Sequence, residues 1–156
     1  MLATGDKAPD FSLPGQDGKS YGLKDFAGRV LVLYIYPKDF TPGCSLEARE
    51  FSRLQAEFAK AGAVVVGLSK DTVATHADFR RKEGLDFLLL SDPEGETIRA
   101  YGAFKPKSMF GKTFLGVNRS TFVIDGNGIV TQAMYGVSPQ ANPGEVCRLV
   151  AEKAGK

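Results

Sequence analysis

One short loop between two apolar segments constrains the fold of this chain more than any other stretch. Residues 30–36 form an apolar run that is rich in β-branched and aromatic side chains, which is typical of a strand buried on both faces. Residues 45–61 instead carry apolar side chains at helical spacing, and Gly62 follows as a helix stop. The sequence therefore predicts a strand, a loop over residues 37–44, and a helix.

The loop ends in residues that favour the start of a helix. Thr41 is a good N-cap, and Pro42 suits the first helical position, where no N–H is needed. Cys44 then stands three residues after the cap, where the free N–H groups and the helix dipole favour an anion. A thiol in this place should lose its proton more readily than a free thiol, so Cys44 is a candidate nucleophile.

The rest of the chain alternates strand and helix before it changes pattern. Further strands are predicted over residues 63–69, 87–90, 119–125 and 129–135, and further helices from Asp71 or Thr72 to Gly84, over 94–101, and from an N-cap at Asn142. Residues 104–116 show no clear period and are interpreted as a surface loop, whereas the Asp-Gly-Asn-Gly run at 125–128 predicts a hairpin. This order predicts a single α/β domain over residues 1–156 with a thioredoxin-like fold, an N-terminal extension and an insertion before the C-terminal hairpin.

The predicted topology brings a distant cation to the loop. The first hairpin strand should run antiparallel to the strand of residues 30–36, so its start lies at the same sheet edge as the loop. Arg119 stands at that start. We therefore expect the guanidinium of Arg119 to lie near Cys44.

Composition and charge exclude several classes of function. The charged content of 24% and the net charge of +2 come without a basic run, so we expect no nucleic-acid partner. No segment resembles an export signal, and the apolar runs are too short to span a bilayer, so we expect a cytoplasmic protein without a membrane partner. The single histidine, His76, is interpreted as an exposed helix residue. Together with two distant cysteines it makes no zinc site, so no metal is expected.

Several motifs resemble one family of redox proteins. Pro37, Thr41 and Cys44 match the P-x-x-x-T-x-x-C active-site motif of the peroxiredoxins, and Arg119 matches their distant active-site arginine. The opening segment of residues 5–13, the Met-Phe-Gly-Lys run at 109–112 and Glu47 are similar to the Q-type subfamily, also called bacterioferritin comigratory proteins. The resemblance covers nearly the whole chain.

This resemblance implies a cysteine-based peroxidase without a cofactor. The Cys44 thiolate would attack the O–O bond of hydrogen peroxide or an organic hydroperoxide and become a sulfenic acid, which a thioredoxin-like reductant recycles. Thr41 and Arg119 would orient the peroxide, Glu47 would hold the arginine, and Pro37 would stiffen the loop. We expect a monomer, with a weak dimer as the alternative.

The chain departs from the family pattern in its second cysteine. Many Q-type members carry a resolving cysteine five residues after the first, where this chain has Arg49, and no cysteine occurs in residues 71–84. Cys147 is the only other thiol. It could resolve Cys44 within the chain or between chains, or the cycle could use Cys44 and an external thiol.

Two other classes of function stay open at this point. A thiol–disulfide exchange protein would favour Cys-x-x-Cys, but Thr41 stands three residues before Cys44. A non-catalytic binding module with the same fold would not need Cys44 and Arg119 together.

Overall fold

The apolar run of residues 30–36 forms the middle strand of a mixed sheet in the computed structural model, which describes residues 1–155. The strands of this part of the chain are β1 (Leu13–Pro14), β2 (Ser20–Tyr21), β3 (Val30–Ile35), β4 (Ala63–Ser69), β5 (Leu88–Ser91), β6 (Phe104–Met109), β7 (Lys112–Val117), β8 (Ser120–Ile124) and β9 (Val130–Tyr135). The helices are α1 (Pro42–Arg53), α2 (Gln55–Lys60), α3 (Val73–Glu83), α4 (Glu96–Ala100) and α5 (Asn142–Ala154), with a short 3₁₀ turn over Leu23–Phe26.

The central sheet has the strand order β5-β4-β3-β8-β9. Strands β3, β4 and β5 are parallel, as βαβ crossovers require, whereas β8 is antiparallel to both β3 and β9. Ile35, the last residue of β3, pairs with Ser120, the first residue of β8. The predicted convergence of Arg119 on the loop after β3 is thereby confirmed.

Both faces of β3 are buried, which explains its continuous apolar sequence. Leu31 and Leu33 point to a core shared with the N-terminal segment and α4. Val32 and Tyr34, on the alternate face, point to a second core built with α1, α2, α3 and α5. Cys44 and Cys147 both belong to this second core.

Residues 104–116 were predicted as a loop, and this prediction is wrong. They form most of an antiparallel hairpin in which Met109 pairs with Lys112. Phe110 and Gly111 between them both have positive φ, at 53° and 77°, as a tight two-residue hairpin turn requires. The usual Asn-Gly signal for this turn is absent, and most side chains of the hairpin are exposed, so the sequence shows no one-sided apolar alternation.

Two helix boundaries also differ from prediction. The helix predicted to reach residue 61 breaks at Leu54, which separates α1 from α2. Asn142 is the first residue of α5 rather than its cap, and its side-chain oxygen accepts a hydrogen bond from Thr121 at 2.7 Å. Tertiary packing of a polar side chain has overridden its local capping preference here. Across residues 1–155, none of the helices combines the length and apolar character that crossing a bilayer needs.

Candidate active site

Cys44 lies in the first turn of α1, immediately beyond the C-terminal edge of β3. Thr41 has the extended backbone of an N-cap, with φ −82° and ψ 148°, and Pro42 opens the helix as predicted. The Thr41 hydroxyl donates to the backbone carbonyl of Lys38 at 2.7 Å, so it closes the loop instead of capping the helix. Cys44 is 2% exposed, and Pro37 and Thr41 are half-buried beside it in sequence.

Arg119 binds the sulfur and a carboxylate at the same time. One guanidinium nitrogen, Nη2, donates to Cys44 Sγ at 3.4 Å. The other, Nη1, donates to Glu47 Oε1 at 2.7 Å. Gly43 permits this approach, because a Cβ at that position would lie 3.3 Å from Nη2. The structure therefore brings together Cys44, Arg119 and Glu47, as the sequence predicted.

Glu47 is fully buried, and only one of its two carboxylate oxygens is hydrogen-bonded. Its Oε2 atom has no hydrogen-bond partner among residues 1–155. Burial raises the pKa of the Glu47 carboxyl to about 7, although the Arg119 guanidinium acts to lower it. Burial lowers the pKa of Arg119, but Glu47 and the Cys44 sulfur outweigh it, so the net pKa of Arg119 is raised. The arginine remains a fixed cation beside the sulfur.

The β6–β7 hairpin contributes a lysine that sequence reasoning did not select. Lys107 folds back across Gly116, where an added Cβ would meet the lysine Cδ at 2.4 Å. Burial, Lys105 and Arg119 lower the pKa of Lys107, while the Cys44 sulfur acts in the opposite direction. The hairpin stem thus lies close enough to the site for its charge to act there.

A buried polar network fixes the loop ahead of Cys44, and sequence reasoning missed it. His76 was predicted to be exposed, but it is 0% exposed. Its Nδ1 lies 2.6 Å from Asp39 Oδ2, and its Nε2 lies 2.8 Å from the carbonyl of Leu90. Asp39 belongs to the loop and His76 to α3, so no local sequence pattern connects them.

The same network contains three groups that could hold a metal ion. One oxygen or nitrogen atom each from Asp39, Asp71 and His76 lies within 4.8 Å of the others. These atoms already bind protein groups, however. His76 Nδ1 faces Asp39, and Asp71 Oδ2 accepts hydrogen bonds from the Asp39 N–H at 2.9 Å and the Ser69 hydroxyl at 2.6 Å. The cluster is therefore satisfied as a hydrogen-bond network.

Cys147 lies in the second turn of α5, in the same apolar core as Cys44. The charges that act on its thiol are those of Glu57 and Arg53, and Arg53 is the last residue of α1. Burial raises the pKa of Cys147, and Glu57 adds to this effect. Both cysteines are free, and the hydrogen bond to the Cys44 sulfur comes from Arg119 and not from Cys147.

This arrangement suits one kind of chemistry. A buried sulfur at a helix N-terminus, held by a permanent cation with several donors, can attack an electrophile and stabilise a leaving oxygen.

Known proteins with similar sequences and the same fold agree with this chemistry. Residues 4–133 match the model of the AhpC/TSA family. The chain is 44% identical to Peroxiredoxin Bcp of Bacillus subtilis over 127 residues, which cover 81% of each protein.

Solved structures show the same fold. The bacterioferritin comigratory protein of Xanthomonas campestris, described for its alkyl peroxide reduction activity, has a TM-score of 0.88 at 39% identity and covers 92% of each chain. A cysteine-to-serine mutant of PrxQ from Xylella fastidiosa has a TM-score of 0.93 at 32% identity and covers 99% of this chain and 98% of that one. The predicted thioredoxin-like α/β fold is confirmed.

Proposed function

This chain belongs to the AhpC/TSA family and is a thiol-dependent peroxidase of the Bcp/peroxiredoxin Q type, and we propose that Cys44 is its peroxidatic cysteine. The observation that carries the proposal is the hydrogen bond from Arg119 to the Cys44 sulfur, made while the same guanidinium is held by Glu47. Thr41 and Pro37 shape the loop that presents the sulfur, Thr41 through the hydrogen bond from its hydroxyl to the Lys38 carbonyl.

The reaction follows from these positions. The Cys44 thiolate attacks one peroxide oxygen, an S–O bond forms as the O–O bond breaks, and the other oxygen leaves as hydroxide or alkoxide and takes up a proton from solvent to give water or an alcohol. Cys44 is oxidised to a sulfenic acid and the peroxide is reduced. Arg119 stabilises the negative charge that grows on the leaving oxygen, and the Thr41 hydroxyl orients the peroxide. Hydrogen peroxide and organic hydroperoxides are the proposed substrates.

Recycling is proposed to use a dithiol reductant of the thioredoxin type. One reductant thiol attacks the Cys44 sulfenic acid and releases water, and the second thiol then frees Cys44 and leaves an oxidised reductant. The surroundings of Cys147 favour this route, because burial and Glu57 raise the pKa of its thiol and so disfavour the thiolate that would attack the Cys44 sulfenic acid. The structure shows both thiols free. The intramolecular bond and a bond between chains remain hypotheses to test.

The setting of the protein is proposed from the same chemistry. The cytoplasm keeps thiols reduced, as the Cys44 cycle requires, so we propose that compartment. We also propose a monomer without a nucleic-acid partner, with a weak dimer as the alternative.

Two assays separate the proposed function from the alternatives. We expect the reduced protein to consume hydrogen peroxide with a thioredoxin system and to be nearly inactive in insulin reduction. Insulin reduction without peroxide consumption would support the exchange protein, and inactivity in both assays would support the binding module.

A further inference from the structure

The loop residue Asp39 is enclosed by partners on every polar atom of its side chain. The Tyr36 hydroxyl donates to Oδ1 at 2.5 Å, and His76 Nδ1 lies 2.6 Å from Oδ2. The Asp39 N–H in turn donates to Asp71 Oδ2 at 2.9 Å. Asp39 is 3% exposed, so this anchor is dry. Both its side chain and its backbone are therefore fixed.

The protons of the His76 ring follow from its neighbours. Nε2 faces the carbonyl of Leu90, which can only accept, so Nε2 carries a proton. Nδ1 faces a carboxylate oxygen of Asp39, and a further proton lies between the two atoms. With the proton on Nδ1 the pair is a charge-assisted imidazolium–carboxylate bond, and with the proton on Oδ2 it is a neutral hydrogen bond from a carboxylic acid to an imidazole; in both forms the 2.6 Å contact is bonding.

The next loop residue has an unfavourable backbone that needs such an anchor. Phe40 is not a glycine, yet its φ is 66°, in the left-handed region. Such a conformation persists only when the surroundings over-determine it. The Phe40 ring packs edge-on against Phe79 with centroids 5.2 Å apart. Since His76 and Phe79 are three residues apart on α3, one helix face holds both Asp39 and Phe40.

The anchored segment leads directly into the reactive turn. Thr41 follows Phe40, α1 begins at Pro42, and Cys44 must meet Arg119 at 3.4 Å. The first turn of α1 has little room to shift against Arg119, because even a Cβ at Gly43 would lie 3.3 Å from the guanidinium. A misplacement of about 1 Å in a reacting group can cost on the order of a hundredfold in rate.

We propose that Asp39 and His76 are positioning residues for the reaction of Cys44 with peroxide. They hold Phe40 in the left-handed conformation and thereby set where α1 starts and where the sulfur lies relative to Arg119. This inference rests on the proposed role of Cys44. It assigns a function to the only histidine of the sequence, which the peroxide chemistry itself does not use.

The test compares two reactions of Cys44 in the same variants. Peroxide oxidation, followed as a single turnover of reduced protein, needs both the thiolate and its alignment with Arg119. Alkylation by iodoacetamide needs the thiolate and access. In Asp39→Asn and His76→Gln we expect the peroxide rate constant to fall roughly ten- to a hundredfold, while alkylation changes by less than about threefold.

A matched control is a second ion pair to α3, made from α1 and not from the loop. Arg49 on α1 and Glu83 on α3 form an ion pair at 2.7 Å, and the Arg49 side chain is largely exposed. Arg49→Gln also removes a charged contact to α3 but leaves the loop untouched. Its peroxide rate should equal that of the wild type, and a loss matching that of Asp39→Asn would overturn the positioning role.

A double-mutant cycle tests the link to Phe40. Glycine adopts positive φ without strain. In a Phe40→Gly background, Asp39→Asn should therefore lower the peroxide rate constant at least severalfold less than it does in the wild type. An equal loss of rate in both backgrounds would contradict the proposed mechanism.

If Asp39→Asn does not fold, Tyr36→Phe removes one hydrogen bond to Asp39 while keeping the ring. It should show the same selective loss on a smaller scale.

Other outcomes are equally decisive. A lowered melting temperature with unchanged peroxide rates would make the pair a core stabiliser and overturn the inference. Parallel losses in both reactions would indicate a disordered loop and overturn it as well. Failure of the proposed function itself is distinguishable, because peroxide would then still be consumed by Cys44→Ser.

Discussion

The two cysteines of this chain lie in the same apolar core but in different electrostatic surroundings. Cys44, in α1, and Cys147, in α5, are 2% and 9% exposed. At Cys147 burial dominates, Glu57 adds to it, and the pKa of the thiol is raised. At Cys44 the sulfur accepts a hydrogen bond from Arg119 and sits at the positive end of a helix. Burial alone therefore disfavours the reactive thiolate. A buried cysteine needs a hydrogen-bond donor beside its sulfur to become reactive.

The largest expected effect comes from exchanging the sulfur of Cys44 for oxygen. We expect Cys44→Ser to abolish peroxide turnover while the melting temperature stays within a few degrees of the wild type, because the substitution changes little volume. Peroxide consumption with a thioredoxin system measures the loss. Retention of more than a small fraction of activity would disprove the assignment of Cys44.

The second test alters the cation beside each sulfur. Arg119→Lys keeps the positive charge but loses the planar group that binds Cys44 and Glu47 together. Losing a hydrogen bond made mainly in the transition state costs ~2–4 kcal/mol, or roughly thirty- to a thousandfold in the oxidation rate. Arg53→Lys, beside Cys147, is the matched control and should leave the rate unchanged. An unaltered rate in Arg119→Lys would mean that this arginine is only structural.

The third test uses the pH dependence of stability to compare Glu47, beside Arg119, with Glu57, near Cys147. Glu47 beside Arg119 has a pKa of about 7 in the folded chain, against 4.5 for an ordinary glutamate. The folded state therefore holds this proton more tightly than the unfolded state. Its stabilising contribution is complete below pH 4.5 and is lost as the pH rises through about 7.

Glu47→Gln removes this titration. The unfolding free energy of the wild type, relative to that of the variant, should fall by up to ~3 kcal/mol as the pH rises from about 4.5 to above 7. Denaturant unfolding across this pH range measures the difference. Glu57→Gln, near Cys147, replaces an exposed glutamate and should leave the pH dependence of stability unchanged. A pH-independent difference between wild type and Glu47→Gln would show that Glu47 titrates normally.

The predictable parts of this site are those with local or topological signals. The run from Thr41 to Cys44 carries its own capping pattern, and the strand order alone brings Arg119 to it. The Asp39–His76 pair had no such signal, because its members are 37 residues apart and a polar residue on a helix suggests exposure. The unpartnered oxygen of Glu47 is likewise a tertiary property. Sequence reasoning therefore predicted the contacts among Cys44, Arg119 and Glu47 and missed the Asp39–His76 pair.

The last test concerns the smallest expected effect, that of Cys147 itself. Cys147→Ser should change the peroxide oxidation rate of Cys44 by less than about twofold, because the Cys44 sulfur accepts its hydrogen bond from Arg119 and not from Cys147. The informative measurement is mass mapping after one equivalent of peroxide. Direct recycling predicts a sulfenic acid on Cys44 in both wild type and Cys147→Ser, with equal thioredoxin-supported turnover. A Cys44–Cys147 disulfide in the monomer, lost in Cys147→Ser, would instead show that Cys147 resolves Cys44 within the chain. In that case both cysteines would take part in the cycle, Cys44 first and Cys147 second. A disulfide between two chains would instead indicate that the dimer is the active form.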